Sequence, residues 1–170
     1  MTTHTTQQGI HYAWQNVIAG VLTLLAILGF GRFALGMLLP SMGSELNLSY
    51  DQMGYISTGN FVGYLSAVMI SSYLIRRLGF RGAILSGITL AGGSMLSISL
   101  ADGFFGVLIA FFLTGIGSGM TNVPMMGMVS HWFHGSLRGR AAGIMLSGNG
   151  IGIMLTGLII PIINQSTGTD

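Results

Sequence analysis

Residues 53–100 read MGYISTGNFVGYLSAVMISSYLIRRLGFRGAILSGITLAGGSMLSISL. Two apolar runs, about 53–75 and 83–100, flank a short cluster of Arg76, Arg77 and Arg81. A bilayer core about 30 Å thick needs about 20 apolar residues in a helix, and each run is near that length. The same reading extends outward to runs at about 17–39, 104–130 and 141–163, which makes five expected spans. Period-2 alternation is missing from all of them, so a β-barrel is not expected. The expected fold class is therefore an all-α membrane protein with five transmembrane helices. A cytoplasmic tail (1–16) precedes the membrane domain (17–164) and a short external tail (165–170) follows it.

Composition agrees. The chain has 170 residues, 51% hydrophobic and 6% charged, with a mean hydropathy of +0.73. Soluble domains carry about 25% charged residues, so a water-soluble globule, a disordered segment and a basic nucleic-acid binder are excluded. With no Cys, disulfides and thiolate chemistry are excluded as well. Glycine is abundant at 28 residues, and beside so much Leu, Ile, Met and Phe it indicates close helix packing in lipid. Small-xxx-small pairs fall at Gly59/Gly63, Gly115/Gly119, Gly139/Gly143 and Gly148/Gly152. Those in spans two, four and five would let backbones approach closely, as general packing or as the sliding contacts of transporter helices.

The few charges orient the chain. Arg76, Arg77 and Arg81 lie between spans two and three, and Arg138 and Arg140 between spans four and five. Glu45, Asp51, Asp102 and Asp170 occupy the other gaps and the tail. Arginine-rich loops stay cytoplasmic, so the expected N-terminus is inside and the C-terminus outside, in the cytoplasmic membrane of a bacterium. The n-region before span one has no Lys or Arg and the apolar run is long, so an uncleaved span is expected rather than a signal peptide.

One charge falls inside a span, Arg32. A central Arg costs about 2.5–3.5 kcal/mol on insertion scales, so it either anchors structure or serves a water-filled cavity. A guanidinium offers a planar bidentate fork suited to a carboxylate. Asn60, Asn122 and Asn149 place amides in spans two, four and five, and Tyr64 lies one turn from Asn60 on the same face. Arg32 and Asn60 each sit about seven residues, roughly 10 Å, from the outer end of their spans and share a level. Asn122 and Asn149 sit at a comparable depth from the inner side. The bland reading of each Asn is an interhelical hydrogen bond worth about 0.6 kcal/mol. No Asp or Glu falls in a span. His131 and His134 form an H-x-x-H with no third ligand, so no metal is expected. Neither glycine run follows a strand, so no cofactor is expected. Without a nucleophile–base pair, enzymatic activity is not expected.

Several motifs, in order, resemble those of a major facilitator superfamily permease of a bacterial branch. Gly29-Phe30-Gly31-Arg32-Phe33-Ala34 with Leu38-Leu39-Pro40 is similar to its first helix, and Gly59-Asn60-Phe61-Val62-Gly63-Tyr64 to its second. Arg77, Gly79 and Arg81 match the superfamily's loop motif between helices two and three, while Ser72 and Arg76 depart from it. Thr114 to Gly119 resembles the helix-four motif, with Phe111 in the place of its Arg. His131-Trp132-Phe133 and Arg138 to Ile144 look like the junction of helices four and five, and Gly148 to Gly157 with Pro161 like a helix-five gating motif. The resemblance implies that spans one, two, four and five line a central cavity with span three outside. It also implies secondary transport of a small solute by alternating access, with an organic anion held by Arg32. Carriers of this kind have twelve spans in two halves, so the chain is expected to be partial, with the missing C-terminal half and the lipid bilayer as partners and no role for nucleic acid. The alternative is a non-transporting membrane assembly subunit or scaffold that uses its Gly-rich helix faces.

Overall fold

The computed structural model describes Trp14 and residues 16–101, 103–133 and 135–167, and all of its regular structure is helical. The remainder of the N-terminal tail, Asp102, His134 and Asp170 lie outside the described residues.

Helix α1 covers residues 16–45: an α-helical stretch 16–24, a π-helical stretch Leu25–Ala34 and an α-helical stretch Leu35–Glu45 that contains Pro40. The helix thus continues past Leu39, where the apolar run ends. The π-helical stretch holds Gly29, Gly31 and Arg32, and nothing in the apolar pattern marks it. Such widened turns are rare in helices and are frequent at functional sites.

A continuous helical run, Tyr50–Ile98, follows. It opens with a capping box: Ser49 Oγ accepts from the Gln52 N–H at 3.3 Å, and Gln52 Oε1 accepts from the Ser49 N–H at 2.9 Å. Gly79, at φ 71° and ψ 173°, breaks the run into two helices, α2 (50–78) and α3 (80–98). That φ is open to glycine and strained for other residues, so the arginine cluster forms a sharp corner rather than a flexible loop. Helix α4 is Phe104–Trp132 and α5 is Ser136–Thr167. Residues 165–167, read from the sequence as part of an external tail, continue the last turn of α5.

Three helices are long and apolar enough to cross a bilayer: Asn16–Ser44, Phe104–Trp132 and Leu137–Ile160, with mean hydropathies of 2.1, 1.8 and 1.7. The two arms of the kinked run are not among them; α2 is diluted by Asn60 and several hydroxyl residues, and the corner carries three arginines. Large apolar side chains face outward throughout, among them Met69 at 84% exposure, Leu96 at 75% and Met154 at 70%. A water-soluble protein would bury these; a lipid-facing surface displays them.

Small residues carry the inner contacts. Helices α2 and α4 meet where a Cβ on Gly63 would strike the Phe112 carbonyl oxygen and one on Gly115 the Asn60 carbonyl oxygen. Helices α3 and α4 meet at Gly87 and Gly117, beside a buried Ser94–Thr114 hydroxyl pair at 2.8 Å. Helices α1 and α5 meet at Gly29 and Gly152, where a Cβ on Gly29 would come within 2.5 Å of the Gly152 Cα. Gly148 packs on Val21, and Thr156 Oγ1 donates to the Gly29 carbonyl at 3.2 Å. The Gly139/Gly143 pair differs: nothing lies within 4 Å of where either Cβ would be. Two apolar clusters join the helices, one around Leu24, Leu28, Met125, Val129 and Met145, the other around Leu35, Leu39, Ile56, Val107 and Phe111.

The loops sort to two ends. Phe80, at the α2–α3 corner, stacks obliquely on His131 at the end of α4, with ring centroids 6.4 Å apart, and Gly127 packs beneath it. Trp14 meets Phe133 edge-on at 5.6 Å. The α1 N-terminus, the corner with Arg76, Arg77 and Arg81, and the α4–α5 junction with Arg138 and Arg140 therefore share one end of the bundle.

Candidate functional site

The π-helical stretch of α1 presents Arg32 toward α2. Its guanidinium carbon lies 4.6 Å from the centroid of the Phe61 ring and 4.6 Å from that of the Tyr64 ring. Phe61 and Tyr64 are three residues apart and so share a helix face. Together they hold the cation by its attraction to two aromatic faces, which leaves the N–H fork free of any carboxylate. Among the described residues, no ion pair engages Arg32.

Arg32 opens onto a cavity of about 130 Å³, lined also by Phe33 and Gly36 of α1, Ser57, Asn60 and Phe61 of α2, and Phe111 of α4. Asn60 is buried, and its Nδ2 donates to the Phe111 carbonyl at 2.8 Å. It thus fixes α2 against α4 and forms a wall of the cavity. Tyr64 also ties α2 to α4: its phenol oxygen accepts from Asn122 Nδ2 at 2.8 Å. Arg32 and Asn122, assigned to separate levels by the sequence spacing, are joined through this one tyrosine. Asn122 Oδ1 is buried with no hydrogen-bond partner.

Asn149 stands apart. It lies on α5, its Oδ1 is likewise buried without a partner, and no hydrogen bond or ring contact links it to the other four residues. Sequence reasoning passed over Phe61 as a site residue, and also Ser57 and Phe111. The available signal for Phe61 was its helical register with Tyr64. Phe111 enters through its backbone carbonyl, which no side-chain pattern announces.

At the arginine end, Arg76 Nε donates to the Ser72 carbonyl at 3.4 Å and Arg77 stacks on Tyr73 at 5.6 Å. Arg81 lines a second cavity, of about 270 Å³, with α1, α3 and α4. Pro161 belongs to α5, as do Gly148 and Gly152. No cluster of three or more metal-ligating side chains occurs among the described residues.

Residues 24–170 match the family described as "Uncharacterised MFS-type transporter YbfB". The chain belongs to the major facilitator superfamily. The motif resemblance read from the sequence is thereby confirmed, and the superfamily makes this a multi-pass membrane protein, in line with its apolar helices. Similar curated proteins include a hexuronate transporter of Bacillus subtilis, 28% identical over 86% of this chain and 33% of its own length. A 3-(3-hydroxy-phenyl)propionate transporter of Escherichia coli is 26% identical over 80% of this chain and 34% of its own. The 4-hydroxybenzoate transporter PcaK of Pseudomonas putida is 25% identical over 68% of this chain and 26% of its own. This superfamily chain thus spans about a third of the length of the relatives it matches.

Proposed function

We propose that the chain is the N-terminal, five-span part of a secondary transporter that moves a small organic anion by alternating access, with Arg32 as the anion's anchor. The observation that carries this is the unpaired guanidinium held between Phe61 and Tyr64 at the mouth of the cavity. A charge is costly in a bilayer, and an Arg with aromatic support but no acidic partner is poised for an anion from outside the chain. Hexuronate, 4-hydroxybenzoate and 3-(3-hydroxyphenyl)propionate, the compounds named for the relatives, are all carboxylates. On this reading Arg32, Asn60, Tyr64, Asn122 and Asn149 face the solute path, and transport rather than covalent chemistry is the activity.

Five spans are consistent with the helix lengths. At 1.5 Å per residue, α2 (50–78) extends about 43 Å, more than a core of about 30 Å, and α3 (80–98) about 28 Å, close to that thickness. In this proposal the arginine end is cytoplasmic, the membrane is the bacterial cytoplasmic one, and the second half of the carrier completes the cavity. The glycine contacts of α1 with α5 and of α2 with α4 serve as the close surfaces on which the bundle rocks.

Uptake of radiolabelled carboxylates into proteoliposomes bearing the complete reading frame tests the proposal. Saturable flux is expected, falling at least about tenfold in Arg32→Ala, the scale of a lost charge-assisted hydrogen bond. Flux unchanged in both Arg32→Ala and Asn60→Ala overturns the site. If no solute moves, a scaffold that uses its glycine faces is favoured instead.

A further inference from the structure

We propose that Ser57 is the second donor of the anion site, its hydroxyl bonding the carboxylate that Arg32 anchors. The inference rests on the carboxylate reading of Arg32 and assigns a residue to the part of the anion that the guanidinium leaves uncovered.

A hydroxyl side chain inside an apolar helix commonly satisfies itself by donating to a carbonyl three or four residues back. Thr23 does so to the Ala19 carbonyl, Ser66 to that of Val62, Ser71 to that of Val68 and Ser97 to that of Gly93, at 2.6–2.9 Å. Ser57 does not. Its Oγ has no hydrogen-bond partner among the described residues, and the side chain is half-buried on the wall of the Arg32 cavity. The hydroxyl is therefore uncommitted and available to whatever enters that cavity.

Its position pairs it with the arginine. Ser57, Asn60, Phe61 and Tyr64 are spaced i, i+3, i+4 and i+7, so they share one face of α2, the face whose two rings hold the Arg32 guanidinium. With its flat sides given to those rings, the guanidinium meets an anion through its N–H edge. A carboxylate offers about four acceptor sites, of which a bidentate fork fills two. The others face a wall built largely from Phe33, Phe61 and Phe111, whose rings carry no O–H or N–H donor. Asn60 Nδ2 is already bonded to the Phe111 carbonyl. Ser57 Oγ is the lining donor that makes no bond at all. A bond from it to an ionised oxygen is charge-assisted, roughly twice as strong as one between neutral groups.

The test is calorimetric binding of benzoate and hexanoate to the detergent-solubilised complete carrier, with melting temperatures measured with and without acid. Ser57→Ala is expected to bind about tenfold more weakly, the scale of a lost hydrogen bond to a charged group. Its melting temperature without acid should equal that of wild type, because the hydroxyl makes no bond within the chain. Ser57→Thr restores a hydroxyl and should recover binding to within about threefold of wild type. Unchanged affinity in Ser57→Ala overturns the proposal. So does a lowered melting temperature of that variant without acid, which assigns Ser57 to packing. A Ser57→Thr variant as weak as Ser57→Ala overturns it too and assigns the loss to cavity shape. These failures leave the Arg32 reading standing if wild type binds the acids and Arg32→Ala does not. If neither acid binds wild type, the carboxylate reading fails and takes the Ser57 assignment with it.

Discussion

Arg32 is a charged residue in an apolar helix, and aromatic rings rather than an acid support it. Its charge has no acidic partner in the span, and two ring faces at 4.6 Å replace part of the solvation that water would give. The planar guanidinium fits between two rings, whereas a lysine ammonium is a compact point charge on a flexible stem. Arg32→Lys is therefore expected to keep the site cationic yet lose the fork, weakening carboxylate binding about tenfold or more. Phe61→Leu keeps the fork and loses one ring face, so a smaller loss of about twofold to fivefold is expected, since an exposed cation–π contact contributes about 0.5–1 kcal/mol. Calorimetric titration of the two variants with one carboxylate gives the ordering, and a Phe61→Leu loss equal to that of Arg32→Lys contradicts the sandwich. Asn60 behaves otherwise: its amide is bonded to the Phe111 backbone, so Asn60→Ala should lower stability as well as affinity.

At the scale of the helices, glycine determines which elements touch. Gly29 and Gly152 bring α1 and α5 so close that a Cβ on Gly152 would lie 2.6 Å from the Gly29 Cα, with backbone on both sides and no side chain to yield. Gly152→Ala should then cost about 1–3 kcal/mol, the range for overpacking. Gly143→Ala meets nothing within 4 Å and should be neutral or slightly stabilising through helix propensity. Thermal unfolding in detergent separates the two, and equal melting temperatures would sink the contact. The glycine pairs themselves were legible, because small-xxx-small spacing is local and written in one helix. Their partners were not, since the rotation of each helix about its axis depends on the whole bundle; hence Gly139 and Gly143 look like a packing pair and pack against nothing described. The apolar runs at about 17–39, 104–130 and 141–163 located the three helices long and apolar enough to cross a bilayer for a similar local reason. The π-helical stretch around Arg32 stayed hidden, because a change in helix period over ten residues leaves an apolar run apolar. Gly79 was readable as part of a loop motif, but not as a one-residue corner, which follows from its φ of 71°.

For the whole molecule, charge placement and packing answer the same question independently. The sequence puts arginines in alternate gaps, and the fold brings those gaps together through Phe80 on His131 and Gly127 beneath Phe80. Asp51, in the first turn of α2, belongs to the opposite end. Positively charged loops are retained on the cytoplasmic side, so the arginine end is expected to face inward. The chain contains no Cys, which allows single-cysteine labelling without a prior background mutant in this part of the carrier. Leu78→Cys, 52% exposed beside the corner, is expected to resist a membrane-impermeant maleimide added to intact cells and to react in inverted vesicles. Asp51→Cys should show the reverse. Labelling of Leu78→Cys from outside intact cells would invert the orientation and move the Arg32 cavity to the other leaflet. Labelling of both positions from the same side would mean that α2 does not cross the bilayer. That second outcome bears on the site directly, because Asn60, Phe61 and Tyr64 all ride on α2, and their hold on Arg32 depends on that helix standing upright beside α1.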